Sequence, residues 1–404
     1  MPDPSAQTST PSPVGARDLP AAIVETLRQC LPDIDDMIAL HEPLFEGNEW
    51  AYVKECIDTG WVSSAGDYVD RFERDLAEYT GAKRAVVVVN GTSALHVCLR
   101  LLGVQEGDEV MIPALSFVAT ANAVAYQGAT PHFADSAIGT LGLDPEKLDA
   151  HLRDVAEVRG GTCVNTRTGR PIRAVVPMHT YGHPIDLDSL QDVCRKYQLP
   201  IIEDAAESLG SRYRSRHTGT FGRCAALSFN GNKTITTGGG GAILTNDDGL
   251  ADAAKHLTTT AKKPHRWEYY HDQTGYNYRM PNLNAALGCA QLERLPEFIE
   301  RKRRLAGQYR AAFEDVEGVT LFQEPAFAQS NYWLNVLLLN RGQAGQRDAV
   351  LEATNEAGFM TRPTWQLLSS LPMYRSCPRM DLSTAQDLEQ RLINIPSTPI
   401  LADT

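Results

Sequence analysis

The 404-residue chain lacks the features that mark several large classes of protein. Its net charge is −12 and it has no basic stripe, which argues against nucleic-acid binding. Its eight cysteines form no Cys-x-x-Cys pair, so we expect neither a zinc site nor a dense disulfide framework. No apolar run approaches the roughly 20 residues of a membrane span, and the N-terminus lacks a signal core. These absences predict a cytoplasmic protein that uses no metal and binds no nucleic acid or membrane.

The first half of the chain has the rhythm of an α/β domain. Residues 1–19 are rich in Pro, Ser, Thr and Ala without periodicity, which predicts a disordered extension. From Ala85 onward, short apolar runs alternate with helical patterns. Such alternation predicts a mostly parallel sheet that is covered on both faces. We therefore assign an N-terminal arm and a large domain to residues 20–280.

The composition changes after about residue 285. A long helical pattern begins near Pro296, and it is followed by one apolar strand and one further helix. These elements predict a smaller α+β domain over residues 281–404. No internal repeat is visible in either part.

Lys233 lies in the chemically most informative segment, residues 228–237, which is followed by four glycines at 238–241. A lysine that forms a Schiff base needs a carbonyl cofactor, a phosphate anchor and a partner for the cofactor's ring nitrogen. The glycines let backbone segments approach closely where side chains would collide. The alternative is an ordinary surface lysine. A nucleotide-binding P-loop is excluded, because Asn232 interrupts the required Gly-Lys pair.

Two further segments suit pyridoxal 5′-phosphate (PLP). Thr92 and Ser93 stand where an apolar strand runs into a helix, and the free N–H groups of a helix start bind anions. Asp204 follows the predicted buried strand 201–203, at the strand end where α/β sheets bind ligands. An aspartate there can pair with a protonated pyridine nitrogen. The alternatives are that Ser93 and Asp204 merely cap helices.

Five segments in family order and spacing resemble the DegT/DnrJ/EryC1/StrS family of PLP-dependent nucleotide-sugar aminotransferases. The matching segments are residues 90–94, 113–120, 202–210, 228–241 and 275–280. The resemblance covers roughly residues 38–400. It implies fold type I, the aspartate aminotransferase fold, and a homodimer whose active sites lie at the subunit interface.

The resemblance gives the reacting groups their roles. Lys233 matches the lysine that forms the Schiff base, and Asp204 matches the partner of the pyridine nitrogen. Glu207 stands where the family usually has Gln, Glu or His near the cofactor's phenolic oxygen. Some members carry His in place of the lysine and run a dehydration, which Lys233 argues against.

The remaining cofactor ligands also follow from the resemblance. Thr92, Ser93 and Ser228 match phosphate ligands, and Asn277 matches an asparagine that reaches the phosphate from the neighbouring subunit. Phe117 matches the aromatic residue that stacks on the cofactor ring. From sequence alone, Phe117 is nearly as well explained as a core residue.

The substrate assignment rests on finer features. Gly239 and the run 230–233 depart from the commonest family pattern. Together with segments 40–43 and 60–64, they resemble the legionaminic acid and bacillosamine branch. That branch implies transfer of the amino group of L-glutamate to C4 of a UDP-linked 4-keto-6-deoxy-N-acetylhexosamine, for surface-glycan synthesis. Arg362 and Arg279 are candidates for binding its diphosphate, or else structural salt-bridge partners, and His183 is a candidate near the site.

Three alternatives stay open. The first is a GDP- or dTDP-linked keto-sugar aminotransferase acting at C4 or C3, of the perosamine type. The second is a PLP-dependent sugar dehydratase. The third is a PLP-binding regulator without turnover, which would usually carry a basic DNA-binding module that this chain lacks.

Overall fold

The computed structural model describes residues 18–33 and 36–403. Residues 1–17 of the predicted extension lie outside the described residues, whereas Asp18 and Leu19 open the first helix. The α-helices are α1 Leu19–Cys30, α2 Glu49–Thr59, α3 Asp67–Thr80, α4 Gly91–Leu101, α5 Val118–Tyr126, α6 Pro145–Val155, α7 Leu187–Tyr197, α8 Asp248–Thr258, α9 Asn282–Phe313, α10 Arg347–Glu356 and α11 Ser383–Arg391.

The strands alternate with these helices along much of the chain. They are β1 Arg84–Val88, β2 Glu109–Pro113, β3 Thr130–Ala134, β4 Ala156–Arg159, β5 Thr162–Asn165, β6 Ile172–Val175, β7 Ile202–Asp204, β8 Arg212–Tyr213, β9 Arg216–His217, β10 Cys224–Ser228, β11 Gly241–Thr245, β12 Val319–Leu321, β13 Ala328–Gln329, β14 Asn335–Leu339, β15 Arg362–Pro363 and β16 Leu392–Ile395.

The central sheet joins two hydrogen-bonded groups of strands, β1-β11-β10-β7 and β6-β2-β3. Parallel bridges between Val175 and Ile201 and between Met178 and Asp204 connect them. β11 runs antiparallel to β1 and β10, while the other pairings in the sheet are parallel. The predicted mostly parallel sheet is therefore confirmed, with one reversed strand that the apolar pattern did not reveal.

Both faces of this sheet are buried. Along β1, Val86 and Val88 enter one apolar cluster, whereas Ala85 and Val87 enter another on the opposite face. Successive strand residues point to opposite faces, so this division follows from the period of two. A strand that is buried on both faces must be apolar throughout, which explains its unbroken run of small and branched residues.

A third cluster surrounds the C-terminal sheet β12-β14-β16-β15. Ile23 and Leu27 of α1 are buried in this cluster together with Leu337 and Ile393. The first helix, which lies in the range that we assign to the N-terminal arm and large domain, thus packs with the C-terminal elements. The long-range partner of an amphipathic helix cannot be read from its own periodicity. The division at residue 280 itself stays a prediction.

Helix α9 begins 14 residues before the predicted start at Pro296, which lies inside the helix. A proline in a helix interior forfeits one backbone hydrogen bond and costs about 3 kcal/mol. Burial on either side offsets this cost, since Leu295 and Phe298 enter the second cluster while Leu305 and Tyr309 enter the third. One helix therefore carries side chains into two cores.

Residues 330–333 form a buried segment, here called the latch, that fastens C-terminal residues to the central sheet. The Asn331 amide donates to the carbonyls of Glu207 and Leu209, each at 2.9 Å. The hydroxyl of the first latch residue donates to the Gly182 carbonyl at 3.0 Å. The latch thereby joins two loops that follow different strands.

The latch leaves no room for a side chain at Gly182. A Cβ there would lie 1.9 Å from Asn331 Oδ1, and the φ of Gly182 is +96°. We expect Gly182→Ala to lower the free energy of unfolding by roughly 2–4 kcal/mol, because collision adds to backbone strain. Gly103→Ala is the control, since Gly103 has φ +78° and open space around it, and it should cost about 1 kcal/mol. Urea denaturation measures both, and equal losses would contradict the collision.

Candidate active site

Polar residues gather where the parallel strands of the central sheet end. β7 ends at Asp204 and β10 ends at Ser228, while β1 and β2 lead into α4 and α5. Because these strands run in the same direction, their carboxyl ends meet at one edge of the sheet. The motifs recognised in the sequence are thereby brought to a common edge.

Lys233 faces a buried carboxylate. Its Nζ lies 3.2 Å from Glu207 Oε1, and its side chain is only 13% exposed. The second oxygen of Glu207 accepts the Tyr181 N–H at 2.8 Å. Tyr181 holds a left-handed φ of 56°, a strained conformation that aims this N–H at the carboxylate. Burial raises the pKa of Glu207 to about 7, although the Lys233 charge and the Tyr181 N–H both oppose the rise.

Asp204 is the second buried carboxylate, and it is anchored by Thr120. The Thr120 hydroxyl donates to Asp204 Oδ2 at 2.7 Å, and the Ala206 N–H donates to Oδ1 at 3.3 Å. Burial raises the pKa of Asp204, and these two hydrogen bonds work against the rise. The segment directly after Asp204 is a turn that leads to β8, so the alternative that Asp204 caps a helix is wrong.

The start of α4 packs against the end of β10. Asn90 caps the helix, because its side chain accepts the Ser93 N–H at 2.8 Å. The alternative that Ser93 is the cap is therefore wrong, and its hydroxyl is not used for that purpose. A Cβ on Gly91 would lie 2.9 Å from the Cβ of Ser228. Thr92, Ser93 and Ser228 thus surround one helix N-terminus, where free N–H groups favour an anion.

The glycines after Lys233 allow a close backbone approach at this point. A Cβ on Gly241 would lie 2.5 Å from the carbonyl carbon of Asn90 and 2.7 Å from the nitrogen of Gly91. Only glycine fits here, because backbone atoms cannot move aside as a flexible side chain can. The packing at Gly241 therefore agrees with the prediction that these glycines allow a close backbone approach.

Phe117 precedes α5 and is 51% exposed, so the alternative that it is a core residue is wrong. Its ring centroid lies 6.4 Å from that of Trp365, which stacks on Tyr181 at 4.8 Å. Phe117 therefore presents an aromatic face at the same edge of the sheet.

Trp333 is a site residue that the sequence motifs did not indicate. The Lys233 Nζ lies 3.8 Å from the centroid of the Trp333 ring, and the indole N–H donates to the Asn232 carbonyl at 2.7 Å. Trp333 belongs to the latch, far along the chain from the lysine motif. No local pattern links the two segments, so only the fold reveals the contact.

The predicted phosphate ligand Asn277 and the predicted diphosphate ligands Arg279 and Arg362 are all exposed. Asn277 and Arg279 bond each other, since Arg279 donates to Asn277 Oδ1 at 2.9 and 3.1 Å. Their segment adds to the sheet edge through the Tyr278 carbonyl, which accepts the N–H of Val89 at 2.9 Å. Arg362 lies on β15, and its guanidinium bonds a neighbouring carbonyl at 3.3 Å. These side chains are available to groups outside this chain.

His183 does not face the site, which contradicts its assignment to the substrate. It is fully buried between Phe322 and Tyr332, with ring centroids 4.8 and 5.2 Å away. Burial lowers the pKa of His183 to about 3, and the Arg303 charge lowers it further. An uncharged, enclosed ring offers no surface to a sugar nucleotide.

The described residues show no metal cluster, disulfide or membrane-spanning helix. They contain no group of three or more His, Cys, Asp or Glu that could hold a metal ion, and all eight cysteines, which lie among them, are free. None of the helices in this part of the chain has the length and apolar character that a bilayer crossing requires.

Comparison with known proteins agrees with this arrangement. Residues 44–404 match the DegT/DnrJ/EryC1/StrS aminotransferase family. The chain is a member of that family. GDP-perosamine synthase of Escherichia coli O157:H7 is 38% identical over 366 residues, which cover 91% of this chain and 94% of that protein. GDP-perosamine synthase of Caulobacter vibrioides is 37% identical over 361 residues, which cover 89% and 93%.

A solved structure shows the same fold. The aminotransferase TlmJ from Streptoalloteichus hindustanus is 30% identical, with a TM-score of 0.81 over 91% of this chain and 95% of that one. The family is one of PLP-dependent sugar-nucleotide aminotransferases, so the expected enzyme class, cofactor and type I fold are confirmed.

The described residues fit PLP. The N-terminus of α4, with hydroxyls from Thr92, Ser93 and Ser228 around it, suits the phosphate. The Asp204 carboxylate is buried without a cation in direct contact, as a protonated ring nitrogen would require. Lys233 offers a primary amine that is nearly enclosed.

The raised pKa of Glu207 predicts a pH-dependent stability. Between about pH 4.5 and 7 the folded chain binds a proton at Glu207 that the unfolded chain has lost. The contribution of this carboxyl therefore falls as pH rises through that window, by up to about 3 kcal/mol. We expect cofactor-free Glu207→Gln protein to lose this part of the pH dependence in urea denaturation. Parallel pH profiles for the two proteins would contradict the shift.

Proposed function

We propose that the enzyme transfers the amino group of L-glutamate to C4 of a nucleotide-linked 4-keto-6-deoxyhexose. The observation that carries the proposal is the enclosed Lys233 amine, 3.2 Å from Glu207 and on the same sheet edge as Asp204. An amine in this position can exchange a proton with a buried carboxylate without contact with bulk water. Glutamate as donor comes from the family resemblance.

The chain's own residues divide the work. Bound PLP supplies an electron sink that makes the substrate's Cα–H acidic. Lys233 provides the amine that moves the proton, and Glu207 holds that amine in place. Asp204 places a negative charge where the ring nitrogen must stay protonated. Thr92 and Ser93, at the start of α4, bind the phosphate.

The sugar nucleotide requires a separate binding region. Its diphosphate is anionic, and Arg362 and Arg279 are exposed guanidinium groups that suit it. Phe117 and Trp365 add aromatic surface beside the reacting groups. His183 is excluded from this region by its burial.

The nucleotide in our proposal is GDP. Two relatives named GDP-perosamine synthase each cover about nine-tenths of this chain, which supports a GDP-linked keto sugar. The features around Gly239 still favour a UDP-linked N-acetyl sugar as the second candidate. A substrate panel separates them.

The panel should contain GDP-, UDP- and dTDP-linked 4-keto-6-deoxy sugars, each incubated with the PLP-loaded enzyme and L-glutamate. We expect 2-oxoglutarate and a C4 amino sugar, with the highest kcat/KM for the GDP-linked substrate. Mass spectrometry and NMR of the products measure both. Lys233→Ala is the inactive control. A higher kcat/KM for the UDP-linked sugar would reverse the nucleotide assignment, and a deoxygenated product without amine would overturn the function.

The outward position of Asn277 supports a shared site in a homodimer. If Asn277 serves the partner subunit's phosphate, a Lys233→Ala chain and an Asn277→Ala chain have defects that fall on the same site of a mixed dimer. The other site is then intact, so mixing two poorly active homodimers should restore activity once subunits exchange. Co-purification on two different tags verifies the mixed dimer. No recovery in verified mixed dimers would show that Asn277 does not act across the interface.

A further inference from the structure

Trp333 is held in place by three hydrogen bonds. Its indole N–H donates to the Asn232 carbonyl at 2.7 Å, next to the lysine. Its backbone N–H donates to Asn331 Oδ1 at 2.8 Å. Its carbonyl accepts from the Lys302 Nζ at 3.1 Å. The plane and the position of the ring are therefore both set by directional bonds.

The third anchor is chemically costly. Lys302 is fully buried, and its Nζ bonds the Ser397 carbonyl at 2.5 Å as well as that of Trp333. Burial lowers the pKa of Lys302 well below its usual value, so enclosure of the amine works against its charged form. Because this buried amine donates to two backbone carbonyls, it fixes the local path of the chain. It does not form a surface salt bridge.

The face of the Trp333 ring is directed at the reacting amine. The Lys233 Nζ is 3.8 Å from the ring centroid and 3.2 Å from Glu207 Oε1. Trp333 is 4% exposed, so water competes little for this contact. An ammonium over an indole face gains the most when it is desolvated, because tryptophan has the strongest ring quadrupole of the aromatic residues.

We propose that Trp333 is a positioning residue for Lys233, and that its ring face and the Glu207 carboxylate hold the amine between them whenever it is free. The lysine stem has four flexible carbons, so a released amine without such contacts would sample many rotamers. Holding it in place keeps the amine within reach of the proton it must move. The inference rests on the proposed function only in taking Lys233 as the reacting group.

A double-mutant cycle tests the contact without turnover. The four full-length, cofactor-free proteins are wild type, Lys233→Met, Trp333→Leu and the double variant. Methionine keeps most of the stem and removes the charge, and leucine removes the ring face. We expect Trp333→Leu to shift the unfolding equilibrium constant roughly 3- to 30-fold less in the Lys233→Met background than in wild type. Additive effects would overturn the contact.

A conservative variant separates positioning from packing. Trp333→Phe keeps an aromatic face, so it should retain part of the coupling that Trp333→Leu loses, and it serves if the leucine protein does not fold. In the PLP-loaded enzyme we expect both variants to lower kcat, and Trp333→Leu to lower it more than Trp333→Phe. The KM for glutamate should stay within about 3-fold of wild type. Equal effects of Phe and Leu would overturn a role for the ring face.

The outcomes also separate this inference from the proposed function. Wild-type enzyme that aminates a keto sugar, together with additive stability effects, would refute the role of Trp333 and leave the function standing. Strong coupling in a protein that fails with every keto sugar of the panel would support the contact and refute the function.

Discussion

The structure depends on the burial of two carboxylates, Asp204 and Glu207, at one edge of the central sheet. Burial raises the pKa of each, which means that the fold bears part of the cost of keeping negative charge away from water. Directional bonds from Thr120 and Tyr181 oppose that cost without removing it. A site in this condition favours cationic partners, and the Lys233 amine beside Glu207 is one that the chain itself provides.

The parts of the site are distant in sequence, and the latch holds them close together in space. Asn331 binds the carbonyls of the Glu207 loop, while the neighbouring Trp333 binds the Asn232 carbonyl in the Lys233 loop. The C-terminal part is therefore more than a cover for the central sheet. The latch sets the distance between the loops that carry Glu207 and Lys233. A substitution that displaces the latch must therefore affect both loops.

Local patterns predicted the parts of the site that follow parallel strands. Asp204 could be placed at the ligand-binding edge because it follows a short apolar strand, whereas Ser228 was assigned through the family resemblance. The reversed direction of β11 was not predictable, since an antiparallel strand that is buried on both faces has the same apolar run. The packing partner of α1 could not be predicted for a related reason, because an amphipathic pattern does not indicate which surface covers the apolar face.

Two residues show the limit more sharply. His183 lies two positions from Tyr181, yet positive φ values at Tyr181 and Gly182 turn the chain so that the imidazole enters the core. Trp333 reaches Lys233 only through a long-range bond network. The family resemblance identified the motif residues, but it could not predict a contact made by a residue outside those motifs.

The continuity of α9 has a thermodynamic consequence. Its 32 residues, about 48 Å of helix, contribute Phe298 to one apolar cluster and Tyr309 to another. If either cluster opened alone, half of the helix would keep its ordering cost and lose the burial that offsets it, with Pro296 already weakening the backbone bonds near the middle. The free energy of one core is therefore not separable from that of the other, and the helix acts as the cooperative link between them.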